Sequence, residues 1–370
     1  MHSSSTSGSR LGLDNFFTSL PLKALVLSTV VFPFHSINAS KAHQYNSVVN
    51  SNTLTVVAVE SPTTVFKDGE FIHGFGYDLA RNYAQTLNVK LKFKTVKDNA
   101  TALKWINEGR ANFAMTTADF HSVENKQLIS FSASCGADTT LQQNGLNTAL
   151  NWVFKYADDP LTQTASSFVC QSKQNGATQQ LASFYNRNVV KPESWDIIQR
   201  DLGKRLPVYK ASFKRSAEQY NLDWHLLAAI GYQESYLKPD SVSPTGVRGL
   251  MMLTNNTAQA MGVSNRNDPT QSIQGGAKYY DLMLKQYEDI PYPDRNWYAL
   301  VAYNMGPGAV AQIQKRIQSE GKNPNQWINL YDHLNRYQSR NGRYKQAVQY
   351  VTRIRAYLEH IKTSPRWVDV

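Results

Sequence analysis

The hydrophobic period of this chain changes once, near residue 190, and that change limits what the chain can fold into. Before it, short apolar runs alternate with helix-like segments. After it, the pattern is helical nearly to the end. Residues 54–59 are a β-branched run that reads as a buried strand. Gly74-Phe75-Gly76 makes a turn, and Leu79, Ala80, Tyr83, Ala84 and Leu87 follow at helical spacing. Residues 89–96 alternate Val89, Leu91, Phe93 and Thr95 against Lys90, Lys92 and Lys94, a strand with one wet face. A short helix over 102–108 stops at Gly109, where a C-terminal cap glycine belongs, and 112–116 is a further strand. This β-α-β-α-β order predicts parallel strands joined by crossovers.

The 370 residues exceed one ordinary core, so two domains are expected once a leader is set aside. With 41% hydrophobic and 18% charged residues, the composition is globular, neither disordered nor membrane-embedded. A net charge of +11 suits an anionic partner such as nucleic acid, an acidic membrane face or an acidic polymer, or else serves solubility alone. No compact Lys/Arg run or zinc spacing supports nucleic acid. Residues 201–370 hold 22 Lys/Arg against 14 Asp/Glu, so most of the excess lies in the helical part. Acidic groups of a cell wall then fit better than a small ligand.

Residues 1–39 read as an export leader. Arg10 and Lys23 precede the apolar run 24–34, and Ser36-Ile37-Asn38-Ala39 supplies a small residue for cleavage. The run is about half the ~20 residues a membrane span requires. An uncleaved anchor is the alternative. No Cys follows the run closely, which excludes a lipoprotein anchor. The two cysteines, Cys135 and Cys170, are expected to pair in an exported protein.

Residues 54–59, G-F-G-Y-D-L-A at 74–80 and A-L-K-W-I-N-E-G-R-A-N-F-A-M at 102–115 resemble the first lobe of the extracellular solute-binding proteins of the amino-acid-binding type (family 3). The resemblance implies that 151–156 is a strand returning to that lobe, closed by helices from Asp159-Pro160 and over 179–185. Such proteins place an Arg after the third strand to hold a ligand carboxylate. This chain has T-T-A-D-F-H-S-V-E-N-K at 116–126 instead, with Lys126 the nearest cation. The stretch is also too short for a second lobe. A docking or regulatory module is expected over 40–190, with residues 185–195 as a linker.

Beyond the linker, Asp223 can cap a helix whose face carries Leu226, Leu227, Ala229 and Ile230. Glu234 lies four residues after Ile230, on that apolar face and at the helix end. By spacing alone it either ends the helix in solvent or is buried with a raised pKa, as a general acid requires. The run L-L-A-A-I-G-Y-Q-E-S-Y at 226–236 resembles the catalytic motif of the family 1 lytic transglycosylases, which have a goose-type lysozyme fold. So do S-P-T-G-V-R-G-L-M-M-L-T at 243–254, A-Y-N-M-G at 302–306 and Y-V-T-R-I at 350–354, in the family's order. The two-part organisation resembles the membrane-bound lytic transglycosylase F subgroup. The fold class expected is α+β multidomain: an α/β single lobe of a periplasmic solute-binding fold over 40–190, then a mostly α-helical lysozyme-like domain over 191–370.

The resemblance implies Glu234 as general acid and then general base. It implies substrate contacts from Ser235, the loop residues Gly249, Leu250 and Met251, then Tyr303, Asn304 and Tyr350. The implied enzyme is a peptidoglycan lytic exotransglycosylase, a lyase acting on glycan strands without metal or cofactor. Glycosidases ordinarily use two carboxylates. Here one suffices if the 2-acetamido group of N-acetylmuramic acid (MurNAc) attacks C1 and its 6-hydroxyl then closes the ring. The expected location is the periplasm, with peripheral outer-membrane association and a muropeptide or other wall component at the N-terminal lobe. The alternatives are a lysozyme-like muramidase and a non-catalytic wall-binding or sensor protein.

Overall fold

A computed structural model describes residues 44–69, 71–136 and 139–367. All of them belong to one compact unit. The leader read at 1–39 lies outside the described residues.

The first part is a five-stranded sheet. Its strands are β1 (Thr53–Val59), β2 (Lys90–Val96), β3 (Phe113–Thr116), β4 (Ile129–Ser132) and β5 (Asn151–Phe154), in the order β2-β1-β3-β5-β4. β1 runs parallel to both neighbours, with Thr53 opposite Lys90 and Val56 opposite Phe113. β5 returns antiparallel to β3 and β4. The sheet is mixed, and β4 was missed in the sequence because four residues are too few to set a period.

Both faces of the sheet are covered. Leu54, Val56, Ala58, Phe113, Met115, Trp152 and Phe154 point into one core. It is roofed by α1 (Phe75–Thr86), with Leu79, Ala80 and Tyr83 inward. Val57, Ala114 and Val153 point to the other face, against Ala102, Leu103 and Ile106 of α2 (Asn99–Asn107). Asp98 caps α2 by accepting from the Thr101 N–H. β2 is an edge strand, and its exposed Lys90, Lys92 and Lys94 oppose further strand pairing. α3 (Pro160–Gln174) and α4 (Ala177–Phe184) close this part. Cys135 and Cys170 are disulfide-bonded, which pins the segment after β4 to α3.

The second part is helical: α5 (Trp195–Tyr220), α6 (Trp224–Ser235), α7 (Pro269–Gln286), α8 (Asp294–Met305), α9 (Trp327–Tyr337) and α10 (Gly342–Thr363) are its long members. Asp223 and Asp268 cap α6 and α7. α6 is buried on almost every side, from Leu226 through Tyr232, between α5 and α10. A helix that is apolar all round must run through a core.

The stretch expected as a linker is a joint. Tyr185 is fully buried; its hydroxyl accepts from the Gly74 N–H (3.0 Å) and donates to Asp78 Oδ2 (2.7 Å). Phe184 packs on Trp297, Trp327 and Tyr331 of the helical part, with ring centroids 5.1–5.4 Å away. Arg355, fully buried on α10, donates to the Asn186 carbonyl (2.9 Å). The charged residues at 187–193 suggested exposure, but the aromatic pair just before them carries the packing. Arg81 adds a second tie, bridging Asp78 of its own helix (2.9 Å) and Asp294 of α8 (2.7 Å). Burial pushes the Asp78 carboxyl up, and the Arg81 guanidinium partly offsets this.

Arg81→Ala strands two buried carboxylates. It is expected to lower unfolding stability by about 3 kcal/mol or more, read by urea titration at pH 7. The loss should shrink toward pH 5, because protonating Asp78 removes its uncompensated charge.

Candidate active site

α6 ends abruptly. Tyr236 (φ 55°) and Leu237 (φ 57°) both take left-handed backbone, which turns the chain away and leaves Glu234 on the last helical turn. Leu237 is fully buried, and that packing holds the turn. Ser235 has its Oγ committed to the protein: it donates to the Leu250 carbonyl (2.8 Å) and lies 3.2 Å from the Gly231 carbonyl. It fastens the helix end to the loop at 241–253.

Gly249 in that loop sits at φ 86°, and a Cβ there would stand 1.9 Å from the Arg266 carbonyl oxygen. Only glycine fits. Leu250 and Met251 are fully buried. The Met251 N–H donates to Ser272 Oγ (3.1 Å), and its carbonyl accepts from the Tyr303 hydroxyl (3.1 Å).

Tyr303 and Asn304 occupy the last turn of α8, and Tyr350 lies midway along α10. The Tyr350 hydroxyl donates to Glu234 Oε1 at 2.6 Å. The Tyr303 and Tyr350 rings stack at 6.5 Å, and Tyr279 packs on Tyr303 at 5.1 Å. Burial raises the Glu234 pKa to about 7, and the Tyr350 hydrogen bond partly counters this. Burial and the nearby Glu234 push both tyrosines well above their ordinary range, so they stay protonated donors.

These groups open onto a cavity of about 610 Å³. Glu234, Tyr303, Asn304 and Tyr350, all named from the sequence, line it together. Ser235, Gly249, Leu250 and Met251 do not. The expectation that they touch substrate is corrected: their side chains are spent on core packing and loop hydrogen bonds, and they shape the wall from behind. Sequence reasoning missed the hydroxyl-bearing side at Ser243, Thr245, Thr257 and Tyr279. It also missed Arg343, Gln346, Gln349 and Arg353 on α10. The α10 set had a readable signal, since polar residues recur there at three- and four-residue steps around Tyr350. Glu234 is the one carboxylate among the described residues lining the cavity. Among the described residues no group of three or more His, Cys, Asp or Glu could hold a metal ion.

Comparison with known proteins follows the same lines. Residues 211–326, which contain Glu234, Tyr303 and Asn304, match the Transglycosylase SLT domain family. The chain therefore belongs among the proteins that carry an SLT domain. Its relatives include proteins named membrane-bound lytic murein transglycosylase F. That of Stutzerimonas stutzeri is 37% identical over 270 residues, covering 70% of this chain and 54% of the relative. The Alcanivorax borkumensis protein is 36% identical, covering 75% and 61%. The Pseudomonas fluorescens protein is 43% identical, covering 56% and 46%. The chain thus spans about half the length of the curated relatives it matches.

Two outcomes are expected at Glu234. Its raised pKa means that the protonated form contributes stability, complete below the ordinary carboxylate range and lost as pH rises through about 7. Glu234→Gln should therefore be more stable than the parent at pH 8 by on the order of 1–2 kcal/mol, with a smaller difference at pH 5, by thermal or urea unfolding. Tyr350→Phe removes the hydrogen bond that favours the ionised carboxylate. A carboxyl titration followed by NMR should show Glu234 ionising at higher pH than in the parent.

Proposed function

We propose that the chain is a peptidoglycan lytic transglycosylase. It cleaves the β-1,4 bond between MurNAc and N-acetylglucosamine and leaves a 1,6-anhydromuramoyl end. One observation carries this reading: a lone cavity carboxylate, Glu234, is held protonated to about pH 7 with the Tyr350 hydroxyl against it. A single group of that kind can serve as acid and then base if the substrate supplies its own nucleophiles.

Protonated Glu234 gives its proton to the glycosidic oxygen as the bond to C1 breaks. The MurNAc 2-acetamido oxygen attacks C1 and shares the developing charge as an oxazolinium. Glu234, now ionised, takes the proton of the MurNAc 6-hydroxyl. That oxygen bonds to C1, the acetamido group is released, and Glu234 is protonated again. No water is consumed, and a tethered hydroxyl outcompetes solvent through proximity. Tyr350 steadies the carboxylate between the two proton transfers. Asn304 is placed to bind the acetamido group or a sugar hydroxyl.

The proposal divides the chain into an export leader at 1–39, a sheet-bearing lobe at 40–190 and the lytic domain at 191–370. It sets the protein in the periplasm, associated with a membrane; the relatives are named membrane-bound. Among the described residues no helix is long and apolar enough to cross a membrane. A wall component is the proposed ligand of the lobe. A cavity of about 490 Å³ between the lobe and α10, bordered by Thr63, Arg187, Trp195 and Arg355, supports this.

Mass spectrometry of digested sacculi tests the reaction. Anhydromuramoyl ends, one water lighter than reducing ends, are expected; reducing ends alone would make the protein a muramidase. Glu234→Gln should slow release by roughly 10²–10⁴-fold with the fold intact. In the parent, kcat/KM should fall as pH rises through about 7, where the general acid loses its proton.

A further inference from the structure

The cavity has two chemically different sides. One presents the hydroxyls of Ser243, Thr245, Thr257 and Tyr279, groups that pair with sugar hydroxyls. The other is a stripe along α10: Arg343, Gln346, Tyr350 and Arg353, one helical face, with Gln349 beside it. At 1.5 Å per residue, Arg343 and Arg353 stand about 15 Å apart along the helix, on either side of Tyr350.

The two arginines have no evident structural task that requires charge. Arg343 donates to the Met305 carbonyl (2.8 Å), an uncharged partner that ties it to the cavity rim. Arg353 is half-buried. Neither forms an ion pair with a carboxylate among the described residues, whereas the neighbouring Arg355 pairs with Glu359 at 2.8 Å. A partly desolvated guanidinium without a counter-ion costs stability, and an arriving anion recovers that cost. The glutamines between them carry neutral donors and acceptors suited to peptide amides.

We propose that this face of α10 reads the carboxylates of the stem peptides, so that glycan bearing peptides is the preferred substrate. The inference rests on the peptidoglycan reading above and deepens it. In intact wall the lactyl carboxyl of MurNAc is tied up as an amide. The free anions beside the glycan are therefore those of the peptide. Removing the stem with an amidase frees the lactyl carboxylate in its place, which allows the two sources to be separated.

Binding rather than cleavage is the test, so that it stands apart from product chemistry. Calorimetry on the full chain carrying Glu234→Gln would use three probes: peptide-bearing glycan oligomers, the same oligomers after amidase treatment, and uncharged N-acetylglucosamine oligomers. Adding Arg343→Gln and Arg353→Gln should weaken binding of the first probe by about tenfold or more and leave the other two unchanged. Lysine at both positions should retain part of the preference, and added salt should erode it. Equal weakening on the amidase-treated oligomers would assign the arginines to the lactyl group and overturn the proposal. Weakening on all three probes, or on none, would overturn it as well. A chain that binds with this preference but yields no anhydro ends would sink the lytic reading and leave the peptide surface standing.

Discussion

The structure turns on a carboxyl group held in a place that disfavours its charge. Glu234 closes a helix whose other side chains are almost all in the core, and its observed hydrogen-bond partner is the Tyr350 hydroxyl. One hydroxyl does not replace the hydration of a carboxylate, so the proton stays to about pH 7. The surroundings follow from that requirement. α10 must pass close enough for Tyr350 to reach 2.6 Å. The loop at 249–253 must fold tightly behind the site, which glycine at 249 permits. Tyr303 braces that loop through the Met251 carbonyl while its ring stacks toward Tyr350. Six residues that resemble one motif set thus divide into those that face the cavity and those that hold it open.

The same helix links the site to the sheet-bearing lobe. α10 carries Tyr350 in the cavity and Arg355 in the joint, where it meets Glu359 and the Asn186 carbonyl. On the lobe side, Tyr185, Asp78 and Arg81 form a buried polar chain that ends on Asp294 of α8, two turns before Tyr303 and Asn304 on the same helix. Both helices that bring tyrosines to Glu234 are therefore anchored in the lobe. Buried charges of this kind are tolerated because each has a partner, and breaking one leaves the others exposed to the full desolvation cost.

Much of the fold was legible. The alternation at 89–96 and the apolar run at 54–59 located β2 and β1, because side chains on a pleated strand must alternate or be buried on both faces. Asp98, Asp223 and Asp268 all accept backbone N–H bonds at helix starts, as their side chains favour. The joint at 185–195 was misread because local polarity reports exposure only when neighbours from distant sequence are known. Tyr185 meets Gly74 and Asp78 across more than a hundred residues.

The sequence by itself determined the order of elements, the helix that carries Glu234 and the four motif segments that surround it. Those rest on periodicity, capping and residue identity, which act over a few positions. Tertiary structure alone decided which motif residues face the cavity. It placed Tyr303, Asn304 and Tyr350 beside Glu234 and turned Ser235, Leu250 and Met251 into the packing behind it. It also brought Arg343 and Arg353 to the same wall. The reason is geometric: a side chain's burial depends on how helices cross, and that is set by the packing of residues remote from one another in the chain.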